Sequence, residues 1–156
     1  MGIRLGAWME SIPYLGASVD FTLNGALTGS ELDPFDMIWS LSMLAMYRMS
    51  LKESKAFPNG RIQPYVAVGP GLFLTEISQF IGPRIVSNIE LFYDSSSDVG
   101  LDARIGVLWR INGTGGFYIE YRYAQFEANY TKNIPEGTLN FNPTLKLHSL
   151  LFGVSF

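Results

Sequence analysis

The sequence predicts an all-β protein, an antiparallel up-and-down transmembrane β-barrel. Three observations predict this fold class. Apolar residues alternate with small, polar or charged residues in seven segments, and the links between these segments alternate in length. Aromatic residues make up 14% of the chain and charged residues only 16%, whereas soluble domains carry about 25% charged residues. We expect residues 1–156 to form a single transmembrane β-barrel domain.

The alternation places seven strands along the chain. Val99–Ile111 shows it best, because every odd position is apolar while the even positions include Asp102 and Arg104. We expect the apolar positions to form a charge-free outer face and the other positions to line a narrow polar interior. The predicted strands are Ile3–Met9, Leu15–Leu23, Met37–Met49, Arg61–Ile77, Val99–Ile111, Phe117–Ala128 and Thr144–Phe156.

Two prolines, Pro64 and Pro70, lie inside the fourth predicted strand. Proline has no N–H to donate to a neighbouring strand, so it normally interrupts a sheet. The run from Val68 to Gly71 therefore predicts either a bulge or a bend at this point.

Short and long links alternate between the predicted strands. Outer-membrane barrels have short periplasmic turns and long external loops, so this alternation favours that class and places the end of the chain in the periplasm. The short links are Glu10–Tyr14, Ser50–Gly60 and Asn112–Gly116, and the long links are Asn24–Asp36, Ser78–Asp98 and Glu127–Pro143.

The number of predicted strands is odd, whereas single-chain bacterial barrels have an even number of strands so that no edge stays unpaired. We therefore expect eight strands, of which seven are visible in this sequence. The simplest explanation is that a first strand, preceded by a signal peptide, lies upstream of Met1. The alternative is a strand around Ile85–Tyr93, which would invert the topology of everything after it.

Composition excludes several other classes of protein. The chain has no cysteine, which rules out disulfides and thiol chemistry. A net charge of −3 argues against a nucleic-acid partner. Even the most apolar segment, Met37–Met49, contains Ser40 and Arg48, so no stretch reaches the roughly 18 apolar residues of a spanning helix. No cofactor or metal site is predicted.

Eight charged residues fall on the polar parity of the predicted strands and are expected to form a charge network in the lumen. Such a set can bind or conduct a solute. In a barrel of about eight strands, however, the interior is just wide enough for side chains to fill, so we expect ion pairs that plug it. The eight residues are Arg4, Asp20, Arg48, Asp102, Arg104, Arg110, Glu120 and Arg122.

Aromatic residues on the apolar parity, mostly near predicted strand ends, are expected to form an interfacial girdle. In a soluble barrel they would instead be core, and Gly6-Ala7-Trp8 matches a short motif of soluble lipocalins. Lipocalins, however, have an apolar cavity and a polar exterior. Here the charged residues share their parity with the glycines, which predicts the inverse arrangement. The predicted girdle residues are Trp39, Tyr47, Trp109, Tyr121 and Tyr123.

Several blocks, taken in order, resemble small bacterial outer-membrane barrels of the OmpA/OmpX and porin-like family. They are Gly6-Ala7-Trp8, the run from Pro64 to Phe73, the run from Asp98 to Gly106, and Glu120-Tyr121-Arg122-Tyr123. The resemblance implies an eight-stranded barrel in the bacterial outer membrane, in contact with lipid and lipopolysaccharide. The ending Leu150, Phe152, Val154, Phe156 resembles the C-terminal signal that barrel-assembly machinery recognises.

We therefore expect a non-enzymatic outer-membrane protein with a structural or interaction role, which includes contacts with other envelope proteins. A narrow channel for small or hydrophobic solutes is the first alternative. The second is suggested by relatives that deacylate lipid A with a His and a Ser two residues apart. The corresponding segment here, Ala124–Glu127, has neither, and His148 is followed directly by Ser149.

Overall fold

A computed structural model describes residues 1–26, 36–81, 90–112, 115–134 and 137–155. Seven strands of this part form one sheet in the order β1-β2-β3-β4-β5-β6-β9, and β7 and β8 form a separate hairpin. Neighbouring strands are antiparallel throughout, which confirms the all-β, up-and-down prediction. The strands are β1 Gly2–Trp8, β2 Leu15–Ala26, β3 Asp36–Arg48, β4 Ile62–Ile81, β5 Glu90–Arg110, β6 Gly116–Glu127, β7 Tyr130–Ile134, β8 Gly137–Phe141 and β9 Thr144–Ser155.

The seven-stranded sheet curls so that strands far apart in its order face each other. Arg4 of β1 reaches Glu120 of β6, with Nη1 2.8 Å from Oε2. Arg104 of β5 reaches Asp20 of β2, with Nη2 2.9 Å from Oδ1. The sheet is therefore barrel-like, with an inner face around a filled interior and an outer face toward the surroundings.

Strand periodicity sorts the side chains by polarity onto these two faces. Large apolar residues such as Leu5, Met43 and Val99 lie on the outer face and are 74%, 64% and 73% exposed. Charged residues such as Asp102 and Arg122 lie on the inner face and are fully buried. This arrangement is the inverse of a soluble β-sandwich, in which the apolar face is buried.

The structure corrects the predicted link between the fourth and fifth strands. β4 continues to Ile81 and β5 begins at Glu90, and the two pair throughout this extension. The alternative of a separate strand around Ile85–Tyr93 is wrong over its described part, since residues 90–93 belong to β5; residues 85–89 lie outside the described residues. Backbone pairing with β4 orders this part of β5, although the serine-rich run 95–97 has no apolar alternation.

The predicted alternation of link lengths holds only in part. Residues 49–61 form a long connection where a short one was expected, and it is ordered by bridges between Leu51 and Ile62 and between Ser54 and Phe57. The predicted loop Glu127–Pro143 contains the β7–β8 hairpin, which the sequence pattern did not reveal. Among the described residues, no helix is long and apolar enough to cross a membrane.

The prolines of β4 produce no bulge. Pairing with β5 is continuous through both Pro64 and Pro70. Pairing with β3 is interrupted only where Met43 and Leu44 lie opposite Gly69 and Pro70, and it resumes in the same register on either side. Pro70 has no N–H for this ladder, and a Cβ on Gly69 would clash with the Met43 carbonyl oxygen, so the two backbones approach closely here.

The edge strands β1 and β9 run in the same direction. We call the end of the sheet that carries residues 9–14, 49–61 and 111–115 the turn end, and the opposite end the loop end. Both β1 and β9 run from the loop end to the turn end. Inner-face residues of β9 are only half-buried, and Gly2 and Gly6 of β1 are exposed. The described sheet is therefore open between β1 and β9.

Candidate functional site

Six charged side chains from four strands meet in the interior and form what we call the lumen ion network. Three arginines face three carboxylates, so the formal charges of the network cancel. Asp102 and Arg104 on β5 are separated by one residue, and so are Glu120 and Arg122 on β6. This spacing places both members of each pair on the same face of their strand. The network consists of Arg4, Asp20, Asp102, Arg104, Glu120 and Arg122.

Asp102 is the most heavily bonded member of the lumen ion network. Arg122 donates to its Oδ2 from Nε and Nη2, at 3.0 and 2.7 Å. Arg104 donates from Nε to Oδ1 and from Nη2 to Oδ2, at 3.0 and 2.9 Å. The hydroxyl of Ser42 on β3 adds a bond of 2.6 Å. One fully buried carboxylate therefore connects β3, β5 and β6.

Glu120 and Asp20 complete the network. Glu120 accepts two bonds from Arg4, one from Arg104 Nη1 at 3.2 Å and one from the Tyr65 hydroxyl at 2.8 Å. Asp20 accepts bonds from Arg4 Nε, from Arg104 Nη2 and from the Thr22 hydroxyl. Each of the three carboxylates thus accepts hydrogen bonds from two guanidinium groups and from one hydroxyl group. Buried ions require such partners.

The two remaining charged residues of the predicted set have other positions. Arg48 lies near the turn end, where it donates to the Pro13 carbonyl oxygen and to Gln63, and its guanidinium lies 4.1 Å from the centre of the Trp8 ring. Arg48 forms no ion pair with the described residues. Arg110 is the half-buried last residue of β5. The structure therefore brings together six of the eight predicted residues.

Apolar side chains fill the interior on both sides of the lumen ion network. Toward the loop end, the rings of Phe73 and Phe126 stack at 4.3 Å with an angle of 5°. They belong to a cluster with Ile38, Ala124 and Ala128. Toward the turn end, a second cluster consists of Leu44, Met46 and Ala67, packed against Trp8. Sequence reasoning missed these residues, although Phe126 shares the parity of the inward charges Glu120 and Arg122 on β6.

A cavity of about 530 Å³ lies between the edge strands, and we call it the wall slot. Residues 2–6 of β1 line it consecutively, and Val154 and Ser155 of β9 line it from the other side. Consecutive residues of a strand point to opposite faces. The wall slot therefore passes through the sheet and is bordered by both faces of each edge strand. From the interior, Tyr65 and Tyr118 reach it.

The predicted girdle residues lie on the outer face but at different heights along their strands. Tyr47 and Trp109 are next to the last residue of β3 and β5, and Trp39 is in the opposite half of β3. Tyr121 and Tyr123 are in the middle of β6. Both tyrosines contact His148 on β9.

Of the predicted C-terminal signal, Leu150, Phe152 and Val154 are exposed on the outer face of β9. Phe156 lies outside the described residues. The outer face is not charge-free as expected, because Lys146 and Glu127 are exposed on the outer parity of β9 and β6 near the loop end. Residues that pair directly lie on the same face of a sheet. Lys146 pairs with Gln125 and Glu127 pairs with Thr144, so all four lie on the outer face.

No group of three or more histidine or acidic side chains in the described ranges could hold a metal ion. The charges of the lumen ion network are bonded to one another, and among them Arg4 also borders the wall slot. Comparison of the chain with protein-family models, with curated proteins and with solved structures finds no match.

Proposed function

We propose that the protein is an integral β-barrel of the bacterial outer membrane, with a structural or interaction role and a plugged, non-catalytic interior. The observation that carries this proposal is the inverted polarity of the sheet. Burying apolar area in a nonpolar medium contributes about 25 cal/mol per Å². An outer face that exposes Ile105, Phe152 and Trp109 at 58%, 70% and 57% is favourable only if a nonpolar surrounding covers it.

The extent of the apolar outer face supports a lipid surrounding. Soluble monomers rarely expose contiguous apolar patches above a few hundred Å². Here, exposed large apolar residues occur on the outer face of all seven strands of the sheet. The natural partners on this proposal are membrane lipid and lipopolysaccharide, the barrel-assembly machinery during biogenesis, and other envelope proteins.

We further propose that an eighth strand closes the barrel through the wall slot. β1 and β9 run in the same direction, so they cannot pair directly in an antiparallel barrel. One strand that runs from the turn end to the loop end is antiparallel to both edges and satisfies their unpaired N–H and C=O groups. A segment preceding β1 would reach Gly2 at the loop end and enter β1 through an external link.

A plugged interior is favoured over the narrow channel. The lumen ion network and the Phe73–Phe126 stack occupy successive levels of the same lumen. A solute would have to separate buried ion pairs, and breaking such a pair costs about 3–5 kcal/mol. With a closed interior, contacts with other molecules are made at the loop end, where β4 and β5 are extended and the β7–β8 hairpin lies.

The experiment is refolding of the full chain into vesicles, followed by gel electrophoresis with and without heating and by planar-bilayer recording. We expect heat-modifiable mobility and no steady conductance. Mobility unaffected by heating would contradict the membrane barrel, and steady channels would contradict the plug. Release of fatty acid from lipopolysaccharide, abolished by His148→Ala, would overturn the non-enzymatic assignment.

A further inference from the structure

The outer face of β6 and β9 carries a polar area in an otherwise apolar wall. We propose that this area binds the phosphate group of a membrane amphiphile whose acyl chains lie on the same two strands. The proposal rests on the membrane location proposed above. We call the area the outer-face polar site, and it consists of Tyr121, Tyr123, Gln125, Lys146 and His148.

Pairing between β6 and β9 brings these side chains together. Tyr123 lies directly opposite His148, and Gln125 lies opposite Lys146. The Tyr121 hydroxyl is 2.5 Å from His148 Nδ1, and the ring centres of Tyr123 and His148 are 5.2 Å apart. The two tyrosines therefore hold the imidazole between them, one row from the lysine.

The outer-face polar site contains more donors than acceptors. Lys146 forms no hydrogen bond or ion pair with the residues that the structure describes, and Glu127, the nearby acid, is not within salt-bridge distance of it. The Tyr123 hydroxyl donates to Gln125 at 2.6 Å. The contact with Tyr121 uses Nδ1 of His148, and Nε2 forms no hydrogen bond with the described residues. Lys146 is the third residue of β9, at the loop end, where a lysine on a lipid-facing wall costs only about 0–1 kcal/mol. An exposed cation at this height can therefore bind an anionic group at the membrane surface.

The continuation of the same strands indicates what carries the anion. Below the polar site, toward the turn end, the outer face of β9 presents Leu150, Phe152 and Val154, and that of β6 presents Ile119 and Phe117. These five side chains are 44–70% exposed and form an uninterrupted apolar column. A phosphate on Lys146 and His148 with acyl chains along this column matches an amphiphile better than it matches a free anion or a protein surface.

The test uses the fact that His148 is the only histidine in the chain, so it gives one imidazole signal in a heteronuclear NMR spectrum. The refolded full chain in a neutral maltoside detergent is titrated with dihexanoyl phosphatidic acid. We expect a saturable shift of the His148 signal. Lys146→Gln should weaken apparent affinity about tenfold, the effect of losing one charge-assisted hydrogen bond. Lys55→Gln, which changes an exposed lysine of the turn end, is the matched control and should leave the affinity unchanged.

Three further measurements test the proposal. The first is a titration with inorganic phosphate, and an affinity equal to that for phosphatidic acid would overturn the role of the acyl chains. The second compares the two lysine variants, and an equal loss of affinity in both would overturn the site. A change of oligomeric state in Lys146→Gln, measured by light scattering, would assign the area to a protein interface instead. Heat-modifiable mobility is measured on the same samples: a refolded barrel that does not bind the lipid contradicts this site alone, whereas a chain without that mobility contradicts the proposed function.

Discussion

Arg4 on β1 binds Glu120 on β6 through both of its terminal nitrogens, at 2.8 and 2.6 Å, although these strands are not neighbours in the sheet. The same guanidinium donates from Nε to Asp20 on β2 at 3.0 Å. Arg4 is thus the member of the lumen ion network that belongs to an edge strand. It links the first strand to the far side of the interior and holds the sheet in its curled form.

The first prediction concerns Asp102. Asp102→Ala removes the carboxylate that faces Arg104 and Arg122, and it leaves two buried guanidinium groups with fewer partners. We expect the free energy of unfolding to fall by about 3–5 kcal/mol, measured by urea unfolding in vesicles. Glu53→Ala, which removes an exposed acid in the turn-end connection, should change it by no more than about 0.5 kcal/mol. Equal effects would contradict the network as a stabilising unit.

The second prediction concerns the outer face. Ile105 is 58% exposed in the middle of the outer face of β5. In a bilayer, Ile105→Arg should reduce stability by about 2–4 kcal/mol, and Leu51→Arg in the turn-end connection by about 0–1 kcal/mol. Both are measured by urea unfolding in phosphatidylcholine vesicles. If Ile105→Arg is neutral, the outer face does not contact lipid.

The third prediction concerns the aromatic plug. Phe73→Ala removes a fully buried ring that stacks on Phe126, and it should lower the free energy of unfolding by about 3–5 kcal/mol. Phe117→Ala, at an outer-face ring that is 57% exposed, is the control and should lower it less. Planar-bilayer recording of Phe73→Ala should still show no steady conductance, because the lumen ion network remains. Channels in this variant would mean that the stack alone closes the lumen.

The fourth prediction concerns the close approach of β3 and β4. A methyl group at Gly69 would clash with the Met43 carbonyl oxygen, so Gly69→Ala must push the two strands apart and should cost about 1–3 kcal/mol. Gly115→Ala is the control, since the nearest atom to its added methyl group would be a flexible Asn112 side-chain oxygen at 3.2 Å. Thermal unfolding of the two variants in micelles compares them. A more stable Gly69→Ala would show that the strands are separated there.

Period-two patterning predicted the seven strands of the main sheet and the inner face of the charges on β5 and β6, because successive side chains of a strand point to opposite faces. It did not predict the exposed charges of Lys146 and Glu127 on the outer face. The inward charges of β5 and β6 follow directly from their spacing by two residues. Their partners across the interior did not follow, since the contact of Arg4 with Glu120 depends on how far the sheet curls. Arg48 was predicted to join the network because parity shows only which face a residue occupies. Parity does not show the position along the strand, and Arg48 lies nearer the turn end than the network does.

The remaining differences have local causes. The extension of β5 to Glu90 depends on backbone pairing with β4, which requires no apolar alternation. Phe126 shares the parity of the inward charges on β6, and Phe73 lies on the inner face of β4, which carries none of the predicted charges. A rule that assigned the inner face to polar residues therefore overlooked this aromatic pair. Of the bulge or bend predicted between Val68 and Gly71, the bulge is absent, because the sheet accommodates the missing N–H of Pro70 by losing two residue pairs with β3.

The most direct test of the central claim, that the apolar outer face contacts lipid, uses the three tryptophans of the chain. Trp109 is 57% exposed on the outer face, whereas Trp8 packs against Arg48 on the inner face. Variants that keep one tryptophan, with phenylalanine at the other two positions, are refolded into vesicles of brominated phosphatidylcholine, and the quenching of fluorescence is measured. The account predicts that Trp109 is quenched at least about twice as strongly as Trp8, since lipid contacts the outer face. Equal and weak quenching of both would contradict it.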